Sequence, residues 1–362
     1  MRILILANND VGLYQFRKEL IEELLKDNKV FISLPYGKLV EPLKAMGCKF
    51  IDAPVDRRGL NPFKDLELLI YYCELLKKVR PDLVITYTIK PNIYGSLACR
   101  ALKIPYAVNI TGLGTAFQKQ GALRKLVTAM YKAALRSAKV VFFENCENQQ
   151  IFIDEGIISK DKTCLLNGAG VNLEHYSYQE YPTDTEETRF LFIGRVMKEK
   201  GVNELFKAMR MLRKEGINCS LDVVGGLEEN YEPIIQRFEK EGWLRYHGYQ
   251  EDVRSFIKNC HCFVLPSWHE GMANTNLECA ASGRPVITSN IHGCLESVVD
   301  GKSGFLCEKL NTKNLFEVMK RFAIETKDNK ARMGILGRKH MVRNFDKKKV
   351  VINTIKSLDI IS

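Results

Sequence analysis

Short apolar runs alternate with amphipathic helical stretches along almost the whole chain. The pattern predicts strands at 3–7, 30–34, 83–86, 106–110 and 140–143, with helices at 16–26, 65–79 and 123–138 between them. A polar stretch at 174–188 interrupts this rhythm, which then restarts. Strands are predicted at 190–193, 221–224, 262–265 and 286–288, and helices at 202–215, 231–241, 253–259, 276–282 and 315–324. Strands that are apolar throughout, rather than alternating, belong in parallel sheets covered by helices on both faces. Two such blocks predict domains at 1–172 and 189–342, a linker at 173–188, and a C-terminal helix within 343–362 packing back on the first domain. Sheets of this kind bind ligands outside the carboxyl ends of their strands, so the chemistry is to be sought in the turns that follow them.

Composition narrows the class. The 362 residues are 46% hydrophobic and 27% charged, a globular balance. No stretch reaches the roughly 18–20 apolar residues needed to span a bilayer. The start, Met1-Arg2-Ile3-Leu4-Ile5-Leu6-Ala7, runs straight into Asn8-Asn9-Asp10, so it reads as a buried strand rather than a secretion signal. Eleven scattered cysteines, an odd number with no CxxC pair, point to free thiols in a reducing cytoplasm. The formal net charge of +11 leans toward the N-terminal half and favours anionic partners such as nucleotides, phosphates or acidic lipid.

Three turns carry candidate chemistry in the second block. The strand ending at Gly194 runs into Arg195-Val-Met-Lys-Glu-Lys200-Gly201 just before a helix, which suits a diphosphate site. Gly225, after the strand at 221–224, would allow a ligand to approach the backbone closely. The longest signature is Pro266-Ser-Trp-His-Glu270-Gly271-Met-Ala-Asn-Thr-Asn-Leu-Glu278, followed by Gly283-Arg-Pro285, Gly293 and Glu296. Amides of Met272, Ala273 and Asn274 at the helix start are expected to point at an anion, with Thr275 beside them. In this frame Glu278 would accept from a ribose diol and Glu270 from sugar hydroxyls. His247, His261, His269 and His292 lack ligand spacing with carboxylates, so no metal site is expected.

This segment resembles the donor-site signature of retaining GT-B glycosyltransferases, the large group 1 family that includes glycogen synthase-like and bacterial enzymes. The shared residues are Pro266-Ser267, Glu270-Gly271, Glu278, Ala281, Gly283, Pro285-Val286, Gly293, Glu296, Asp300-Gly301 and Gly304. Gly194-Arg195 with Lys200-Gly201, and Asn167-Gly-Ala-Gly-Val-Asn172, extend the likeness over the whole chain. The resemblance implies an α/β GT-B fold, two doubly wound Rossmann-like parallel-sheet domains facing a central cleft. It implies that Arg195 and Lys200 clamp the donor diphosphate, Glu278 holds the ribose and Glu270 the transferred sugar. It also implies retention of anomeric configuration, a nucleotide-sugar donor, here expected to be UDP-linked, and no metal or other cofactor. Met272-Ala-Asn-Thr-Asn-Leu replaces the family's commoner Gly-Phe-Gly lining, and Cys279 stands in place of Ala.

The acceptor side is expected in the first block: Gly12 and Arg17, Arg58, Lys90 and Asn92, and Thr111 with Gly112 each follow or flank a predicted strand end. Phe16-Arg17, Arg58-Gly59 with Asn61-Pro62, Lys90-Pro-Asn92 with Tyr94-Gly95, and Gly112-Leu-Gly114 resemble transferases that extend undecaprenyl-diphosphate-linked sugars. A helical wheel at about 100° per residue gathers Arg124, Lys125, Lys132, Arg136 and Lys139 within roughly 120°. Leu123, Leu126, Val127, Met130 and Ala134 fill the opposite, core-facing side, and Phe117 would dip into a membrane interface. The helix at 123–139 is thus expected to hold the chain on the anionic cytoplasmic face of the inner membrane. No nucleic-acid partner is expected. The competing readings are a transferase with a soluble acceptor, a UDP-N-acetylglucosamine 2-epimerase of the same architecture, and a non-catalytic nucleotide-sugar sensor.

Overall fold

The computed structural model describes residues 1–55, 61–114, 117, 121–183 and 186–359. The chain divides into two compact units, Met1–Ala169 with Lys348–Ser362, and Gly170–Lys347. The first contains β1 (Arg2–Leu6), α1 (Asp10–Asp27), β2 (Lys29–Leu34), α2 (Val40–Ala45), β3 (Lys49–Asp52), α3 (Pro62–Val79), β4 (Leu83–Tyr87), α4 (Ser96–Ala101), β5 (Tyr106–Ile110), α5 (Ala122–Leu135), β6 (Val140–Phe143), α6 (Cys146–Asp154) and β7 (Thr163–Leu165). The second contains β8 (Thr188–Ile193), α7 (Val202–Lys214), β9 (Cys219–Val224), α8 (Glu232–Lys240), β10 (Leu244–Tyr246), α9 (Arg254–Asn259), β11 (Cys262–Leu265), α10 (Asn274–Ala281), β12 (Val286–Ser289), β13 (Gly304–Cys307), α11 (Thr312–Ala323) and α12 (Lys327–Asn344). The last helix, α13 (Lys347–Leu358), places Val350, Ile355 and Leu358 in the core of the first unit.

Both sheets are parallel and wound alike. The first runs β3-β2-β1-β4-β5-β6-β7 and the second β10-β9-β8-β11-β12-β13. Each reverses its winding direction once, between β1 and β4 and between β8 and β11, and such a switch point opens a crevice beyond the strand ends. The central strands β4, β5, β6, β11 and β12 are buried at every position, which explains their largely apolar sequences. The short edge strands β3, β7, β10 and β13 carry less apolar sequence, and the hydrophobic pattern alone does not predict them.

Helix starts follow local chemistry. Asn9 caps α1 by accepting from the Gly12 N–H at 2.7 Å, so α1 begins six residues before the predicted 16–26 helix. Asn61 caps α3, with Pro62 at its first position. In the first unit, α3, α4 and α5 cover one sheet face around Tyr72, Cys99 and Tyr131, while α1, α2 and α13 cover the other.

The expected orientation of α5 is corrected in part. Ala134 is buried and Val127 and Met130 pack partly buried against the core as expected, joined by Tyr131 and Leu135, but Leu123 and Leu126 are 44% and 58% exposed. Arg124 turns inward to Glu155 and to the Phe117 carbonyl at 3.2 Å. Phe117 is buried against Tyr131 and Phe152, so it packs in the core rather than at a membrane interface. Tyr131 fills part of the space that the predicted apolar face was meant to occupy.

Candidate active site

The second unit assembles its candidate site at the β8/β11 switch point. The turn after β8 carries Arg195 and Lys200, and the turn after β11 carries Ser267–Glu270. Backbone and side chain join the two. The Glu199 carbonyl accepts from the Trp268 N–H at 2.8 Å and lies 3.2 Å from the Ser267 hydroxyl, which is wholly buried. Gly201, at φ +72°, ends the first turn, and a Cβ there would sit 2.0 Å from the Pro266 carbonyl oxygen. Only glycine permits that approach. The consequence is an ion pair between the Lys200 ammonium and the Glu270 carboxylate, whose side chains are 19% and 11% exposed. Residues 70 positions apart therefore present one cation and one carboxylate together at the sheet edge.

The remaining donor-side candidates sit around this pair. Arg195 is exposed and reaches Glu228 only at 3.9 Å, which leaves its guanidinium near the surface. Gly194 and Gly225 pack against each other: a Cβ on Gly225 would lie 1.8 Å from the Gly194 oxygen, so Gly225 first of all closes the ends of β8 and β9. The third turn, after β12, is tied in where the Gly293 carbonyl accepts from the Ala273 N–H at 2.7 Å. Glu296 accepts from the Gly293 N–H at 2.7 Å and bonds the His292 ring at 2.7 Å.

Two expectations change here. The Ala273 N–H is engaged by Gly293, and the Asn274 N–H donates to the Met272 carbonyl at 3.0 Å. Neither amide is open to an anion, because the turn needs both to close on itself. Glu278 accepts a hydrogen bond from Tyr176 and lies near the buried Lys347. Burial of its carboxylate raises its pKa to about 7, opposed by Lys347 and by the Tyr176 bond. Burial also lowers the His269 pKa, opposed by the nearby Glu199 and Glu270 carboxylates. Three buried polar atoms in this stretch, the Trp268 indole N–H and the side-chain oxygens of Asn274 and Asn276, have no hydrogen-bond partner. Tyr176, Lys347 and the Glu199 carbonyl are site elements that no motif spacing reveals.

In the first unit the acceptor candidates gather at strand ends but are largely engaged there. Arg17, 8% exposed, pairs with the buried Glu144 after β6, and its guanidinium lies 5.2 Å from the Tyr87 ring centre. Lys90 pairs with Asp65 at 2.7 Å, and the Tyr94 hydroxyl donates to the same carboxylate at 3.0 Å. Asn92, 1% exposed, accepts from the Thr86 hydroxyl at 2.7 Å and donates to the Asn109 carbonyl at 2.9 Å, bracing the ends of β4 and β5. Gly12 gives its N–H to Asn9. Thr111 and Gly112 are partly exposed after β5. Thr88, beyond β4, holds φ +72°, a strained position for a β-branched residue. Arg58 lies outside the described residues.

This fold and site define a glycosyltransferase. Residues 177–340 match the glycosyl transferases group 1 family and residues 2–145 the glycosyl transferase 4-like family. The chain thus carries a group 1 glycosyltransferase domain and a glycosyl transferase 4-like domain, and it has the GT-B fold. It is 29% identical over 354 residues to N,N'-diacetylbacillosaminyl-diphospho-undecaprenol alpha-1,3-N-acetylgalactosaminyltransferase of Campylobacter jejuni, covering 92% of both chains. It is also 29% identical over 270 residues to UDP-Gal:alpha-D-GlcNAc-diphosphoundecaprenol alpha-1,3-galactosyltransferase of Escherichia coli, covering 69% of this chain and 68% of that one. Among solved structures, Anabaena HepE in complex with UDP and glucose superposes with a TM-score of 0.82 at 16% identity over 100% of both chains.

Proposed function

We propose that this glycosyltransferase moves a hexose or N-acetylhexosamine from a UDP-sugar to a sugar carried on undecaprenyl diphosphate, with retention of anomeric configuration. The observation that carries the proposal is the Lys200–Glu270 pair, built from two turns at the switch point of the second sheet. The names of the relatives, both acting on diphospho-undecaprenol sugars, support the acceptor.

In the reaction the bond between the anomeric carbon and the diphosphate oxygen breaks. The acceptor hydroxyl attacks the same face, and its proton passes to the departing phosphate oxygen. Positive character grows on the sugar and negative charge on the diphosphate. Lys200 and Arg195 stabilise the departing charge without a metal ion. Glu270 accepts from the sugar hydroxyls, Glu278 from the ribose once donor displaces Tyr176, and Asn274 offers an unpartnered oxygen to the donor. Gly194, Gly225, Met272, Ala273 and Thr275 shape the donor wall. Arg17, Lys90, Asn92, Thr111 and Gly112 frame the acceptor side, mainly by fixing the strand-end turns.

No helix among the described residues is long and apolar enough to cross a membrane. On this reading, which the lipid-linked acceptors named for the relatives support, the enzyme meets its acceptor at the cytoplasmic face of the membrane, held to anionic lipid by Lys125, Lys132, Arg136 and Lys139. Mass spectrometry of products from UDP- and GDP-sugars, each offered with short lipid-diphosphate sugars, tests the reading. It predicts a disaccharide diphosphate formed from a UDP-sugar, undiminished by EDTA. Conversion of a UDP-sugar to its epimer without acceptor, or transfer to soluble sugars only, would refute it.

A further inference from the structure

The N-terminal half of α3 points its largest apolar side chains away from the protein. Phe63, Leu66 and Ile70 are 79%, 55% and 50% exposed. On a wheel of about 100° per residue they share an arc of about 60°, diametrically opposite the core-facing Leu68, Tyr72, Leu75, Leu76 and Val79. A helix that needs only its inner face for folding gains nothing from such a stripe. On α5, Leu123 and Leu126 are likewise exposed. On the same wheel Lys125, Lys132 and Arg136 run along the adjoining edge, and the helix contains no acidic residue.

The fold brings these two patches together. Both helices cover the same face of the first sheet, and both pack against the turn at Pro91–Gly95. Each is the helix of a crossover between parallel strands, α3 leading from β3 to β4 and α5 from β5 to β6. Each therefore runs from the carboxyl edge of the sheet to the amino edge, and its exposed N-terminal half lies toward the carboxyl edge. The turns carrying Lys90 and Thr111 lie at this edge too.

We propose that the α3 stripe, together with Leu123 and Leu126, inserts into the interfacial layer of an anionic bilayer, seated there by the basic edge of α5. The charge selects the occupant. A second copy of this chain would bring the same cations against themselves, whereas anionic headgroups attract each of them. Apolar side chains beside a cationic edge are the arrangement of helices that lie in a membrane surface. The inference rests on the lipid-linked acceptor reading for its purpose: insertion at the carboxyl edge would bring a membrane-borne diphosphate to the acceptor turns.

The test uses the full chain with vesicles of phosphatidylcholine alone or mixed with phosphatidylglycerol. Wild type is expected to sediment with the mixed vesicles, and less so as salt rises. The triple variant Phe63→Ser, Leu66→Ser, Ile70→Ser should lose roughly tenfold or more in partitioning, as should Lys125→Glu with Arg136→Glu. All substituted side chains are exposed, and unchanged circular dichroism confirms folding. The triple variant should transfer sugar to a short, water-soluble lipid-diphosphate acceptor as fast as wild type. Wild type that ignores mixed vesicles, or a triple variant that binds them equally, overturns the proposal. So does a wild-type dimer that the triple variant converts to monomer without any vesicle binding. Vesicle binding that behaves as expected in a protein with no transferase activity would instead sink the functional reading and leave the docking surface standing.

Discussion

The two units share one sheet order yet handle charge differently at their switch points. In the second, Lys200 and Glu270 come from turns after neighbouring strands and meet at the sheet edge, largely shielded from solvent. In the first, Arg17 is sunk against Glu144 and Tyr87, and Lys90 is held by Asp65. The Lys90–Asp65 side chains, 15% and 18% exposed, are shielded about as much as Lys200 and Glu270. The clear difference between the units is thus the deeply sunken Arg17–Glu144 pair. A cation placed after a strand is therefore no guide to binding until its partner is known.

The largest expected effect breaks the first-unit arrangement. Arg17→Ala strands the buried Glu144 carboxylate, whose pKa burial already raises against the pull of Arg17. It should cost about 3–5 kcal/mol in denaturant unfolding. A change under about 1 kcal/mol would mean that Arg17 is a ligand-facing group after all.

In the second unit, Lys200→Ala leaves the shielded Glu270 without its cation and should cost about 1–2 kcal/mol in stability, less than Arg17→Ala. It should also lower kcat by about 10²–10³-fold, as removal of a group that stabilises developing charge does. Steady-state kinetics with saturating donor would show this. Equal loss in folding stability and rate would erase the contrast between the units.

Glu278→Gln sharpens the comparison through pH. The folded-state pKa of about 7 lies above the usual carboxylate value, so between the two the folded chain holds more protons than the unfolded one. Stability from this group is present at low pH and falls as pH rises toward 7. The Gln variant should therefore be more stable than wild type above pH 7, by about 2 kcal/mol. It should also bind UDP more weakly, and the wild-type affinity should climb as pH passes through about 7. Parallel pH–stability curves for the two proteins would contradict this. The smallest effect is expected from Lys90→Ala, about 1 kcal/mol in stability, since the Asp65 it leaves behind keeps the Tyr94 hydroxyl.

Much of this was legible in the sequence, for identifiable reasons. The central strands are mostly apolar because both faces are buried, so β4, β5, β6, β11 and β12 stand out despite Thr86, Asn109, Thr288 and Ser289. The donor turns were legible because a fixed strand–turn–helix frame sets where Glu270 and Glu278 fall. Edge strands such as β3, half-exposed along its length, give no comparable signal. Nor does spacing show that Glu144, 127 residues from Arg17, would claim its guanidinium. The wheel for α5 set Lys125, Lys132 and Arg136 on the outside, but Arg124, grouped with them, turns inward to Glu155, and the wheel does not say which apolar residues the sheet covers. Tyr131 took the core, and Leu123 and Leu126 were left outside.

The most direct test of the contrast between the units is UDP binding by calorimetry to the full-length wild type, Lys200→Ala and Lys90→Ala. The account predicts that Kd rises about tenfold or more for Lys200→Ala, the loss of one charge-assisted contact, and stays unchanged for Lys90→Ala. Weakened UDP binding in Lys90→Ala with wild-type affinity in Lys200→Ala would contradict it.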